Sequence, residues 1–243
     1  MTRVPPAVSA LADRLADLGW VTDLLVAGSL ATGDYVPGVS DLDLVALTDG
    51  PVGQARQEVL TGLHGELDRG TAQGLDLGCV YVDADRLTEA AALHPMWTHG
   101  SMVHRRLSGV TRAELVRHGF AVTGRPPAAV LPEMTDDDVR SAARAELCGY
   151  WAWASRRPLM WLNPVIADLG LTSMARGRYT LETGQLLTKT QAAERAHAPE
   201  WLRQQLRARR RGEQVVSPRA LTALIAWRDA RRTVARARRR TPD

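Results

Sequence analysis

Apolar residues recur at helical spacing near the start of the chain. Val8, Leu11, Leu15 and Leu18 lie three and four apart, which predicts an amphipathic helix ending at Gly19. The period then changes. Asp23 to Ala27 is a short apolar run that reads as a strand, Gly28-Ser29 interrupts it, and the stretch 33–38 holds Gly33, Pro37 and Gly38 and reads as a loop. From Ser40 to Leu47 acidic and apolar positions alternate, so a second strand sets Asp41 and Asp43 on one face and Leu42 and Leu44 on the other. A helix over about 52–68 and a third strand over 75–82 complete a small α/β unit with a mixed sheet.

Pro126-Pro127 and Pro132 read as a linker, and beyond it the pattern becomes helical. Thr135 and Asp138 form a capping-box pattern, followed by Val139, Ala143, Leu147, Tyr150 and Trp151 at helical spacing. Further helices are predicted over 165–183, 189–211 and 218–240. Gly184 ends the first of these, and Thr188 with Gln191 caps the next. The expected architecture is an α/β (α+β) domain over residues 1–128, then an all-α helical bundle over 133–243 with a basic tail.

Composition refines this picture. A chain of 243 residues with 45% hydrophobic and 24% charged content fits a globular protein of one or two domains. No stretch has the roughly 18 uninterrupted apolar residues of a membrane helix, and the first residues lack a secretory pattern, so no membrane partner and a cytoplasmic location are expected. Cys79 and Cys148 stand far apart and suggest buried small side chains rather than a disulfide or zinc site. Arginines crowd the end of the chain, from Arg207 to Arg240, but no aromatic is interleaved at the extreme end to stack on bases. A solvated tail is the favoured reading over nucleic-acid binding, and a monomer is expected.

Aspartate is a poor strand former, so Asp41 and Asp43 on one strand face, with Asp76 on a neighbouring strand, call for a reason. Two carboxylates about 4 Å apart repel by roughly 4 kcal/mol at an effective dielectric near 20, and a hard divalent cation turns that cost into attraction. Mg²⁺ is the natural partner. Upstream, Gly28 lets backbone approach a ligand and Ser29 can donate to a phosphate oxygen. Lys189, in the first turn of a helix, sits where the helix dipole disfavours a cation, a penalty that a bound phosphate would reverse.

Ala27-Gly28-Ser29 followed by Ser40-Asp41-Leu42-Asp43-Leu44 resembles the motif of the DNA polymerase β-like nucleotidyltransferase superfamily. Within it, the chain resembles the streptomycin- and spectinomycin-type aminoglycoside adenylyltransferases. Leu75-Asp76-Leu77 stands where those enzymes carry a catalytic carboxylate, usually glutamate, and Arg176, Thr183-Gly184 and Lys189 resemble their helical domain. The resemblance implies transfer of AMP from ATP to a hydroxyl of a small polar acceptor, with release of pyrophosphate. Asp41, Asp43 and Asp76 would be catalytic and metal-binding residues, and Gly28, Ser29, Ser40, Arg176 and Lys189 would bind ATP. Leu169 and Gly170 stand where acceptor-recognising polar residues are expected, which leaves the acceptor open. Arg178 is a further candidate phosphate contact, and Trp97, Trp151, Trp153 and Trp161 are expected to fill the core ahead of any role in stacking on a nucleobase or lining the acceptor pocket.

Overall fold

The structure is a computed structural model and describes residues 4–239; Arg240, the last arginine of the predicted tail, lies outside them. The chain divides into two compact units, Met1–Glu133 and Met134–Asp243.

In the first unit the elements run α1 (Pro6–Ala16), β1 (Val21–Val26), a single turn α2 (Gly28–Ala31), β2 (Leu42–Thr48), α3 (Gln54–Arg69), β3 (Leu77–Asp83), β4 (His94–Thr98), β5 (Ser101–Arg105), α4 (Gly109–His118), β6 (Phe120–Thr123) and a second single turn, α5 (Pro127–Val130). Six strands form one sheet in the order β5-β4-β3-β2-β1-β6. Only β2 and β3 pair in parallel, and every other neighbouring pair is antiparallel. Alternation along the strands builds two apolar layers. Leu24, Val26, Leu42, Leu44 and Tyr81 meet Leu11 and Leu15 of α1 and Leu60 and Leu63 of α3. Leu25, Val45, Leu47 and Val80 face the other way, towards Leu115 of α4 and Leu131. Each fully buried leucine contributes roughly 1.5–3 kcal/mol.

The predicted linker is instead part of this unit. Proline fixes φ for a first helical turn, so Pro127 opens α5, and both Pro127 and Leu131 are buried, the leucine against the sheet. The edge strand β6 is pinned beside it. Asp23, buried at 1% side-chain exposure, accepts hydrogen bonds from the Arg125 backbone N–H at 2.6 Å and its guanidinium at 2.7 Å. Burial alone would raise the Asp23 pKa, but the Arg125 and Thr22 hydrogen bonds more than offset it, so the net shift is downwards.

The second unit is helical: α6 (Asp136–Glu146) runs through a π-helical segment, Leu147–Trp151, into α7 (Ala152–Ala154), and a 3₁₀ turn at Pro158–Leu162 precedes α8 (Pro164–Thr183), α9 (Lys189–Glu194), α10 (Glu200–Arg210) and α11 (Arg219–Arg239). Both predicted capping boxes are present, Thr135 with Asp138 and Thr188 with Gln191, and Gly184 closes α8 at φ 77°. The single helix expected over 189–211 is two. Pro199 has no N–H to continue a helix, and it becomes the N-cap of α10. The arginines from Arg228 to Arg239 lie on the helix predicted over 218–240, α11, whose Ala226, Ala230, Val234 and Ala237 are buried.

Trp151 and Trp161 fill the core at 2% and 0% exposure, and the bare Cα of Gly170 is required there, since a β-carbon would come within 2.8 Å of the Trp161 ring. Trp153 departs from the core expectation: it is exposed, with the Arg157 guanidinium 4.1 Å over its ring. Among the described residues no helix is long and apolar enough to cross a membrane.

Candidate active site

Strand β1 ends at Val26, and the chain turns sharply at Gly28, whose φ of +60° suits glycine. The Ala27 N–H donates to the Asp43 carbonyl at 2.9 Å, which fastens this turn to β2. The Asp43 carboxylate then packs directly against Gly28, where a β-carbon would lie 2.8 Å from Asp43 Cγ and still closer to an oxygen. Any other residue at this position would displace the acid. Ser29, the next residue, is buried at 4% exposure, and its hydroxyl has no hydrogen-bond partner among the described residues. A buried unpaired hydroxyl is costly, and a phosphate oxygen is the kind of acceptor that would satisfy it.

The parallel pairing of β2 with β3 brings the third acid near. Leu42 is in register with Leu77 and Asp43 with Gly78, and the Leu42 N–H donates to the Asp76 carbonyl at 2.8 Å. Asp41 and Asp76 thus immediately precede paired residues on adjacent strands, while the missing side chain at Gly78 leaves room beside Asp43. Asp76 itself precedes β3 rather than lying within it. Its carboxylate is 59% exposed and stands 3.4 Å from Nδ1 of His99. His99 and Gly100 form the turn of the β4–β5 hairpin, both at positive φ. This partner for Asp76 was not evident in the sequence. Among the described residues no three His, Cys, Asp or Glu side chains converge as a metal-holding group, so the three aspartates do not form a closed cage. Mg²⁺ does not require one: it is commonly held by one or two carboxylates together with substrate phosphates and water. Asp41 and Asp43, with the cradle at Gly28, fit that donor set.

A cavity of about 190 Å³ opens beside Asp43, lined by Ala27, Gly78, Met96, Arg105, Arg106, Ser108 and Thr111 among others. Arg105 and Arg106 bring positive charge to its edge, and sequence reasoning missed them because two adjacent arginines carry no periodic signal. Ser40, read as a nucleotide contact, is buried, and its hydroxyl accepts the Val36 N–H at 2.9 Å, so it holds the loop before Asp41. Trp97 is a core residue at 4% exposure, stacked on His64 at 5.1 Å and donating to Asp68 at 3.2 Å.

In the helical unit, Arg176 Nε donates to the Leu187 carbonyl at 2.9 Å, which ties α8 to the segment leading into Lys189 at the first turn of α9. The two predicted phosphate-binding cations are therefore neighbours within one local structure. Arg178 belongs elsewhere: its guanidinium donates to Asp229 and Thr233, each at 2.6 Å. Asp168 is held by both ends of the Arg209 guanidinium, at 2.6 and 2.9 Å.

Residues 8–86 match the family model described as nucleotidyltransferase domain. The first unit is a nucleotidyltransferase domain. That match spans the turn at Gly28-Ser29 and all three aspartates. Among solved structures, the crystal structure of spectinomycin adenyltransferase AAD(9) from Enterococcus faecialis with ATP and spectinomycin superposes with a TM-score of 0.69 at 15% identity, covering 94% of this chain and 100% of that one. The chain therefore pairs a nucleotidyltransferase domain with a helical region in an adenylyltransferase-like fold, and is an enzyme of the nucleotidyltransferase class. No curated protein matches the sequence.

Proposed function

We propose that this nucleotidyltransferase moves AMP from ATP onto a hydroxyl of a small polar acceptor of the aminoglycoside type and releases pyrophosphate. The observation that carries the reading is the junction of Gly28, Ser29 and Asp43: a glycine cleared for a carboxylate, beside a buried hydroxyl with no partner. Likeness to a structure holding ATP and spectinomycin supports the choice of nucleotide and acceptor class.

In this reading Asp41 and Asp43 would hold Mg²⁺, which would supply charge stabilisation at the phosphates. Gly28 admits the phosphate chain close to backbone, and Ser29 donates its hydroxyl proton to a phosphate oxygen. Within the helical unit taken by itself, Arg176 and Lys189 are the proposed phosphate ligands. Asp76 accepts the proton of the acceptor hydroxyl as its oxygen bonds to the α-phosphorus, and the bond from that phosphorus to the pyrophosphate oxygen breaks in line. Asp76 is one methylene shorter than glutamate, and the exposed His99 beside it orients the carboxylate.

Pyrophosphate release from ATP and Mg²⁺ tests this with spectinomycin, streptomycin and a panel of other hydroxyl compounds, in wild type and Asp43→Asn. Acceptor-dependent release that disappears in the variant is the expected result. ATP binding without release for any small acceptor would sink the small-molecule reading and direct the search to protein or RNA acceptors.

A further inference from the structure

Two cavities in the helical unit involve none of the residues assigned above to nucleotide or acceptor. They share Thr233 and Arg236. One, of about 460 Å³, adds Arg178, Glu182 and Arg239 to its lining. The other, of about 250 Å³, adds His197, Arg228, Asp229 and Arg232.

The charge of this region is unbalanced. Arg228, Arg232, Arg236 and Arg239 follow one another at four, four and three positions along α11, so they form a single stripe on one helix face. All four are exposed, and none forms a hydrogen bond or ion pair with another described residue. Like charges at this spacing repel along a helix. Two carboxylates lie nearby. Asp229 is 4% exposed; its Oδ1 is held by Arg178 at 2.6 Å with the His197 ring 3.6 Å away, its Oδ2 has no hydrogen-bond partner among the described residues, and Glu182 is the carboxylate lining the larger cavity. Behind the stripe, Arg178 is held rigid by Asp229 and by the Thr233 hydroxyl, while its second terminal nitrogen is buried with no partner among the described residues. The result is a fixed guanidinium backing a row of exposed ones, a donor set suited to oxyanions with several charges.

We propose that these paired cavities form an oligophosphate-binding site of the helical unit. Arg232 and Arg236 clamp the anion, and Arg178 with Thr233 forms the floor. Among the described residues no Trp, Tyr or Phe lines either cavity to stack a base; Trp227, which precedes Arg228 on α11, is covered by Arg231 at 5.0 Å and donates to the Ser155 carbonyl at 2.8 Å. That favours a compact phosphate chain over a nucleic-acid strand. Free oligophosphate and the triphosphate tail of a nucleotide present the same chemistry, so the test separates them.

Calorimetric titration of the full-length protein with inorganic tripolyphosphate, without Mg²⁺, is the measurement, comparing wild type with Arg232→Ala/Arg236→Ala and, separately, Lys189→Ala. Both arginines of the double variant are exposed, and an unchanged melting temperature checks its fold. One bound equivalent is expected in this site, its affinity weakened about tenfold or more in the double variant and kept in Lys189→Ala. Competition by ATP would identify a nucleotide tail as the source, and its failure would identify free oligophosphate. Absence of binding, equal binding in the double variant, loss in Lys189→Ala alone, or displacement by a tighter-binding single-stranded oligonucleotide would each overturn the site.

Discussion

Two glycines in this chain each make room for a neighbour, and the neighbours differ. In the first unit the space at Gly28 is taken by the Asp43 carboxylate. In the helical unit the space at Gly170 is taken by the Trp161 ring, which is fully buried and donates to the Ala154 carbonyl at 3.1 Å. A close approach that admits an indole gains apolar contact and stabilises the fold. One that admits a carboxylate gains no such burial, and beside an unpaired serine hydroxyl it sets polar groups together at a cost. A bound ligand is one way for a fold to offset such a cost.

The largest expected effect removes the charge and leaves the shape. Asp43→Asn should lower kcat about 10³-fold or more while the melting temperature stays within a few degrees, as read by pyrophosphate release and calorimetry; a stability loss with activity kept would make Asp43 structural. Gly28→Ala should follow, lowering kcat about 10²-fold through misplacement of the carboxylate. Its φ of +60° adds roughly 1–2 kcal/mol of backbone strain. Gly170→Ala should do the reverse, with a stability loss of about 1–3 kcal/mol from overpacking and kcat per folded molecule close to wild type. If the two glycine variants behaved alike in both measurements, the comparison would fail.

A smaller, pH-dependent effect belongs to the core of the first unit. His64 is fully buried against Tyr81, 2.6 Å from its hydroxyl, and burial lowers its pKa from 6.5 to about 3. The unfolded chain therefore binds a proton that the folded chain refuses between those values. His64 thus favours folding fully above pH 6.5, and that contribution falls as pH drops towards 3, with a slope of up to about 1.4 kcal/mol per pH unit. Denaturant unfolding from pH 7 to 4 should show a shallower decline in His64→Gln; identical slopes would rule out His64 as the source.

Much of the site was readable in the sequence because its parts are local. Glycine and serine at a strand end, and acids alternating with leucines, need no tertiary knowledge, and the caps at Thr135 and Thr188 are set by side chains three residues apart. What escaped detection depends on distant partners. Strands β4 and β5 carry Pro95 and no clean alternation, and their turn is His99-Gly100 rather than an asparagine-glycine pair, so it is the pairing of β4 with β3 and of β5 with β4 that makes them strands. Strand β6 has four residues, none buried, and exists by pairing with β1. Asp76 and His99 meet because of that same hairpin. The cavity beside Asp43 required Gly78 in register, which no spacing within one strand could reveal.

The pairing of β1 with β6 joins residues 24–26 to 120–123. During synthesis on the ribosome, β1 emerges early and gains β2 as a neighbour, yet its other edge stays open until the chain is extended past Arg125. Throughout that interval the nascent sheet presents unpaired backbone groups, with the Asp23 carboxylate not yet met by its guanidinium. The turn at Gly28 grows from the end of this same strand. Maturation of the candidate site is therefore coupled to the arrival of a segment about a hundred residues downstream, and slow elongation through that stretch prolongs the time in which an open edge can pair with another chain.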